Sequence, residues 1–122
     1  MSSHPDLAVF GSGAWGTALA MAWGRQGARV ALWGHPAEAV RELAETRQHP
    51  RLPGAELPLT VTPVADPALA FQAPIWISAL PTQVSPEVWR RLADTATTRP
   101  ELMIHVSKGI LQEGHRRLSE AL

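Results

Sequence analysis

Three glycines, Gly11, Gly13 and Gly16, stand in the order G-x-G-x-x-G directly after the apolar run Leu7-Ala8-Val9-Phe10. An alanine-rich stretch from Thr17 to Trp23 follows them. The apolar run predicts a strand and the stretch after the glycines a helix. A turn between the two exposes the helix's first N–H groups and the positive end of its dipole, which together attract an anion. Each glycine then has its own reason. Gly11 makes the tight bend, a side chain at Gly13 would block a pyrophosphate, and one at Gly16 would hold helix and strand apart. The other reading is a glycine-rich turn that binds nothing, but three glycines cost backbone entropy without an evident structural gain.

Apolar and amphipathic stretches alternate along the rest of the chain. Strands are expected at Leu7 to Phe10, Arg29 to Trp33, Leu59 to Thr62, Ile75 to Ala79 and Leu102 to Val106. Helices are expected from Ala14 to Gln26, with Gly27 as C′ residue, and from Pro36 to about Arg47, with Val40, Leu43 and Ala44 on one face. Two more are expected, from Pro86 to Thr95 and from about Gln112 onward. This order predicts an α/β fold: a doubly wound parallel sheet of five or more strands with helices on both faces. Pro50, Pro53, Pro58, Pro63 and Pro67 crowd one region, so Gln48 to Pro58 is read as a long loop, ordered or semi-mobile. The last helix is still running, without a cap, at Leu122, so the chain is expected to be one domain of a longer protein.

Composition narrows the function classes. The formal net charge is zero, which offers no electrostatic basis for binding nucleic acid or an anionic membrane. No cysteine is present, so disulfides, thiolate metal sites and thiol nucleophiles are excluded. No run is apolar enough to span a bilayer and no signal peptide opens the chain, so a cytoplasmic location is expected. The histidines lack metal-ligand spacing; His4, His49 and His115 carry no assignment, and His105 is read as a packed or edge residue. Trp23, Trp76 and Trp89 are read as packing residues.

Ligands of open α/β sheets lie beyond the carboxyl ends of the strands, where the strand order reverses. Gly11 to Gly16, Ser78 to Gln83 and Ser107-Lys108-Gly109 occupy such ends. Lys108 is the only lysine among eleven basic residues, and an ammonium there would hold a phosphate or a carbonyl oxygen as a compact charge.

These blocks also carry a resemblance. Gly11 to Ala20, Leu32-Trp33-Gly34-His35, His49 to Gly54, Leu57-Pro58, Leu80 to Gln83 and Ser107 to Ile110 are similar, in order and near-family spacing, to the N-terminal half of bacterial NAD(P)-dependent glycerol-3-phosphate dehydrogenase. The resemblance runs from about Leu7 to Leu122. The tryptophan inside the glycine motif and the Ser-Lys-Gly-Ile block are its specific parts. It implies a Rossmann-type domain over residues 1–122, binding NADP(H) or NAD(H), in an enzyme that interconverts glycerol 3-phosphate and dihydroxyacetone phosphate for phospholipid synthesis. Gly11, Ser12, Gly13, Ala14, Trp15 and Gly16 would contact the cofactor. His35 would lie near the adenosine ribose, and Lys108 between nicotinamide and substrate. No catalytic residue is expected within the chain, because the family's general acid, a second lysine, belongs to a helical C-terminal domain needed for activity.

Two departures stand out. The family often has serine at the position of Ala14, and its loop carries an aromatic between the residues here represented by Arg51 and Leu52. No carboxylate stands about 20 residues after the glycines to accept from a ribose 2′-OH; Trp33-Gly34-His35-Pro36 occupies that region, and Glu38 is the first acid. That tilts toward NADPH, although His35 as a capping or surface residue is an equal reading. Two other readings stay open: a non-catalytic dinucleotide-binding module, and a fragment of a related 3-hydroxy or 2-hydroxy acid dehydrogenase of ketopantoate-reductase or 6-phosphogluconate type.

Overall fold

The structure, a computed structural model, describes residues 4–34, 37–80, 85–96 and 99–106. Strand β1 (Leu7–Phe10) leads into helix α1 (Ala14–Arg25), then β2 (Val30–Trp33), α2 (Ala37–Thr46) and β3 (Val61–Val64). A 3-10 turn, Ala70–Gln72, precedes β4 (Ile75–Ser78), α3 (Ser85–Thr95) and β5 (Leu102–His105). The five strands form one sheet in the order β3-β2-β1-β4-β5, and every neighbouring pair is parallel. The doubly wound sheet expected from the sequence is therefore what the chain folds into. The predicted final helix from Gln112 lies outside the described residues.

The apolar runs that predict the strands divide cleanly between two faces, because successive side chains of a strand point to opposite sides. Leu7, Val9, Val30, Leu32 and Ile77 pack on one face with Ala20 and Met21 of α1 and Leu43 of α2. Ala8, Phe10, Ala31, Trp33 and Trp76 pack on the other with Phe71 and with Leu92 of α3. Right-handed crossovers require this: β1 to β2 to β3 moves one way and buries α1 and α2 on one side, while the later elements move the other way. The second face is aromatic. Phe10 lies at its centre, with ring centroids 4.8 Å from Trp89 and 5.4 Å from Trp76. The indole N–H groups there have acceptors: Trp76 donates to Ala73 O, Trp33 to Ala65 O and the half-buried Trp89 to Ser78 Oγ.

Helix α1 stops as its sequence predicts. Gly27 takes φ +100°, its N–H donates to Gly24 O, and the Ala28 N–H donates to Trp23 O. This paired closure satisfies the last carbonyls of the helix. Three expectations need correction. Strand β3 begins two residues later than Leu59, which is 95% exposed. Pro63 is a strand residue after all, in register with Leu32, because β3 is an edge strand paired only with β2 and does not need the missing N–H. On α2, Val40 and Leu43 are buried but Ala44 is exposed.

Candidate functional site

The strand order reverses between β1 and β4, so a crevice opens where the connection from β1 and the connection from β4 depart in opposite directions. The glycine turn sits there. Gly11 continues the sheet through its N–H to Trp33 O, and the Ala79 N–H donates to Phe10 O on the other side. Gly11 has φ +128°, and a Cβ on it would lie 2.8 Å from the carbonyl carbon of Ala79. Both facts require glycine. Gly16, in the first turn of α1, packs against the Gly11 carbonyl so closely that no Cβ fits between them. Gly34, at the end of β2, is closed off in the same way by the Ser12 side chain and Val40.

Gly13 differs from these. It is exposed, its φ of −68° and ψ of −177° suit any residue, and a Cβ placed on it would meet nothing within 4 Å. Nothing in the described residues explains a glycine at this position. Gly13 is also the N-cap of α1, and no side chain caps the helix there. The first turn of α1 contains no acid, whereas the first turns of α2 and α3 hold Glu38 and Glu87. The first intrahelical bond runs from Thr17 N to Gly13 O, so the N–H groups of Ala14, Trp15 and Gly16 have no carbonyl one turn back. Trp15 is 37% exposed beside them.

Two residues to which the sequence assigns no role in the site complete the turn. Thr17 is fully buried and its Oγ1 donates to Ser12 O at 3.1 Å. His49 reaches the same carbonyl with Nε2, also at 3.1 Å. Its other ring nitrogen, Nδ1, accepts from the Arg51 N–H at 3.0 Å. An N–H can only donate and a carbonyl can only accept, so these partners select the neutral Nε2–H tautomer. Sequence spacing gives no sign of the contact, because His49 lies 37 residues from Ser12.

The loop that carries His49 is ordered by Arg47. That residue has φ +60° just beyond α2, and its Nη2 donates to Pro58 O at 2.5 Å and Val61 O at 3.0 Å. Gln48 and Glu56 close the loop with an antiparallel bridge. Between α2 and this loop lies a cavity of about 150 Å³, lined by Ser12, by Ala39, Glu42 and Leu43, and by residues 48–51. The structure thus brings Gly11, Ser12, Gly13, Ala14, Trp15 and Gly16 to one crevice. His35 and Lys108 lie outside the described residues, as does Pro81 to Gln83.

Comparisons with known proteins agree with this architecture. The model of the family described as "NAD-dependent glycerol-3-phosphate dehydrogenase N-terminus" matches residues 6–122. A glycerol-3-phosphate dehydrogenase [NAD(P)+] of Bradyrhizobium diazoefficiens is 37% identical over 122 residues, covering 100% of this chain and 37% of that protein. One of Geobacillus thermodenitrificans is 40% identical over 117 residues, covering 94% and 34%. The chain therefore spans about a third of the length of the curated relatives it matches. Among solved structures, glycerol-3-phosphate dehydrogenase of Coxiella burnetii superposes with a TM-score of 0.74 at 30% identity, covering 96% of this chain and 36% of that one. A reductive aminase of Aspergillus terreus shares the fold alone, at TM-score 0.56 and 24% identity. With the match extending through every strand and helix of the sheet, the chain belongs to the family of NAD-dependent glycerol-3-phosphate dehydrogenase N-terminal domains.

Proposed function

We propose that this chain holds the pyrophosphate of an NAD(P) dinucleotide against the first turn of α1. It would serve as the cofactor-binding part of an enzyme interconverting glycerol 3-phosphate and dihydroxyacetone phosphate for phospholipid synthesis. The observation that carries the reading is Gly13. Its lack of a side chain has no use inside the described residues, but it leaves clear the space through which a bulky anion reaches the α1 N–H groups. A dinucleotide fits this space. The uncapped helix end lacks a competing carboxylate, and Ser12, beside it in the turn, also lines the cavity between α2 and the His49 loop.

The chain's own contribution is binding and orientation. The N–H groups of Ala14, Trp15 and Gly16 would neutralise phosphate charge without a cationic side chain, and the buried Gly16 and Thr17 fix the turn that presents them. When bound, the nicotinamide supplies a hydride acceptor or donor. Lys108 would set a positive charge beside it and the substrate oxygen, and His35 would sit at the ribose; both assignments rest on the family resemblance. The proton donor for the developing alkoxide would come from the remaining part of a full-length enzyme. Such a donor contributes on the order of 10²–10⁴-fold, so this chain alone would bind cofactor without appreciable turnover. No helix among the described residues is long and apolar enough to cross a membrane, and a cytoplasmic location goes with this reading.

Titration with NADPH and NADH, followed by tryptophan fluorescence, tests the proposal directly. Saturable binding is expected, and Gly13→Val should abolish it while changing stability by about 1 kcal/mol or less, the scale of an N-cap change. Equal affinity of the variant and the parent would reduce the turn to a structural element. His35→Ala should erase any preference for NADPH over NADH.

A further inference from the structure

We propose that His49 is a positioning residue of the anion-binding turn, holding the Ser12–Gly13 peptide so that its carbonyl faces inward; this rests on the dinucleotide reading given above. The need for such a residue follows from Gly13 itself. A glycine without neighbours can take positive as well as negative φ, so the peptide in front of it turns over at little cost. Turned over, that peptide would direct the Ser12 carbonyl, with its partial negative charge, toward the space that the phosphate occupies. The absence of a Cβ that admits the anion therefore also loosens the backbone that must receive it.

Two donors remove this freedom. Thr17 Oγ1 and His49 Nε2 both lie 3.1 Å from Ser12 O and together engage both of its lone pairs. Thr17 belongs to α1 and would accompany the turn in any displacement. His49 belongs to a separate loop anchored by Arg47 to β3, so it ties the turn to a fixed part of the scaffold. The Arg51 N–H on Nδ1 sets the ring so that Nε2 carries the hydrogen. The loop after α2 thus contributes to anion binding through the Ser12 carbonyl.

Two substitutions separate positioning from loop closure. His49→Asn keeps an acceptor near the position of Nδ1 for the Arg51 N–H but has no atom at the position of Nε2. His49→Gln places an amide N–H near Nε2. Neither has a ring, so ring-current effects on the spectra are the same for both. In the ligand-free chain, the ¹⁵N–¹H resonance of Gly13 should move or broaden in His49→Asn and stay closer to the parent in His49→Gln. NADPH affinity should fall roughly threefold to tenfold in His49→Asn, the range for one lost hydrogen bond, and recover in His49→Gln, with thermal midpoints close to one another. An asparagine variant with the parent's affinity and Gly13 resonance would overturn the proposal, as would a glutamine variant no better than His49→Ala. If the parent chain does not bind NADPH, the dinucleotide reading fails, and the Gly13 resonance still reports whether His49 holds the peptide.

Discussion

Gly11 and Ala79 approach so closely that a methyl group on the first would lie 2.8 Å from both the carbonyl carbon and the carbonyl oxygen of the second. This contact lies at the point where strand order reverses, and it is backbone against backbone, so neither side can yield by changing a rotamer. Gly11→Ala also places a Cβ on a residue at φ +128°. Strain of this kind costs about 1–3 kcal/mol and overpacking roughly as much again. The variant should lose about 2–6 kcal/mol in urea or thermal unfolding, a large part of a small domain's stability. Gly16→Ala, which meets the Gly11 carbonyl, should behave alike, and Gly13→Ala should melt near the parent. A Gly11→Ala protein as stable as Gly13→Ala would contradict the packing described for the turn.

The different demands on these three glycines were only partly legible in the sequence. Their spacing between a strand and a helix identified the turn and predicted the close packing at Gly16. The strands β1 and β2 were legible because both faces are buried, which leaves uninterrupted apolar runs. The bounds of strand β3 are less legible because Pro63 reads as a breaker, and only its edge position makes proline harmless there. No sequence signal ties His49 to the turn, because a hydrogen bond to a backbone carbonyl demands no residue pattern at the accepting end. The role of Arg47 is hidden for a related reason: the left-handed position after a helix usually signals itself by glycine or asparagine. Here an arginine takes it, held by carbonyls from a distant part of the chain.

Arg47 accordingly gives a prediction with two opposing terms. Arg47→Ala loses the charged hydrogen bonds to Pro58 O and Val61 O, worth about 1.5–3 kcal/mol, and keeps a Cβ at φ +60°. Arg47→Gly loses the same bonds but relieves the left-handed strain, which is about 1–2 kcal/mol for a residue with a Cβ. Both should unfold at lower urea than the parent, with the glycine variant the more stable of the two. An alanine variant equal to the parent would show that the arginine does not anchor the loop.

On the opposite face of the sheet, Trp89 and Ser78 form a pair whose energy can be isolated. The indole N–H donates to Ser78 Oγ at 2.8 Å, and Ser78 is buried at the end of β4, immediately before the backbone that Gly11 touches. Trp89→Phe leaves the hydroxyl without this donor, and Ser78→Ala leaves the indole without its acceptor. Each should destabilise by about 1–3 kcal/mol, the cost of stranding one buried partner. Removing both strands neither, so the double variant should be more stable than the sum of the single losses implies, with a coupling of about 1 kcal/mol. Urea unfolding of the four proteins measures it. Losses that add to within about 0.5 kcal/mol would mean that Trp89 acts only through its ring contacts with Phe10 and Trp76, leaving the end of β4 to be held by its backbone bonds alone.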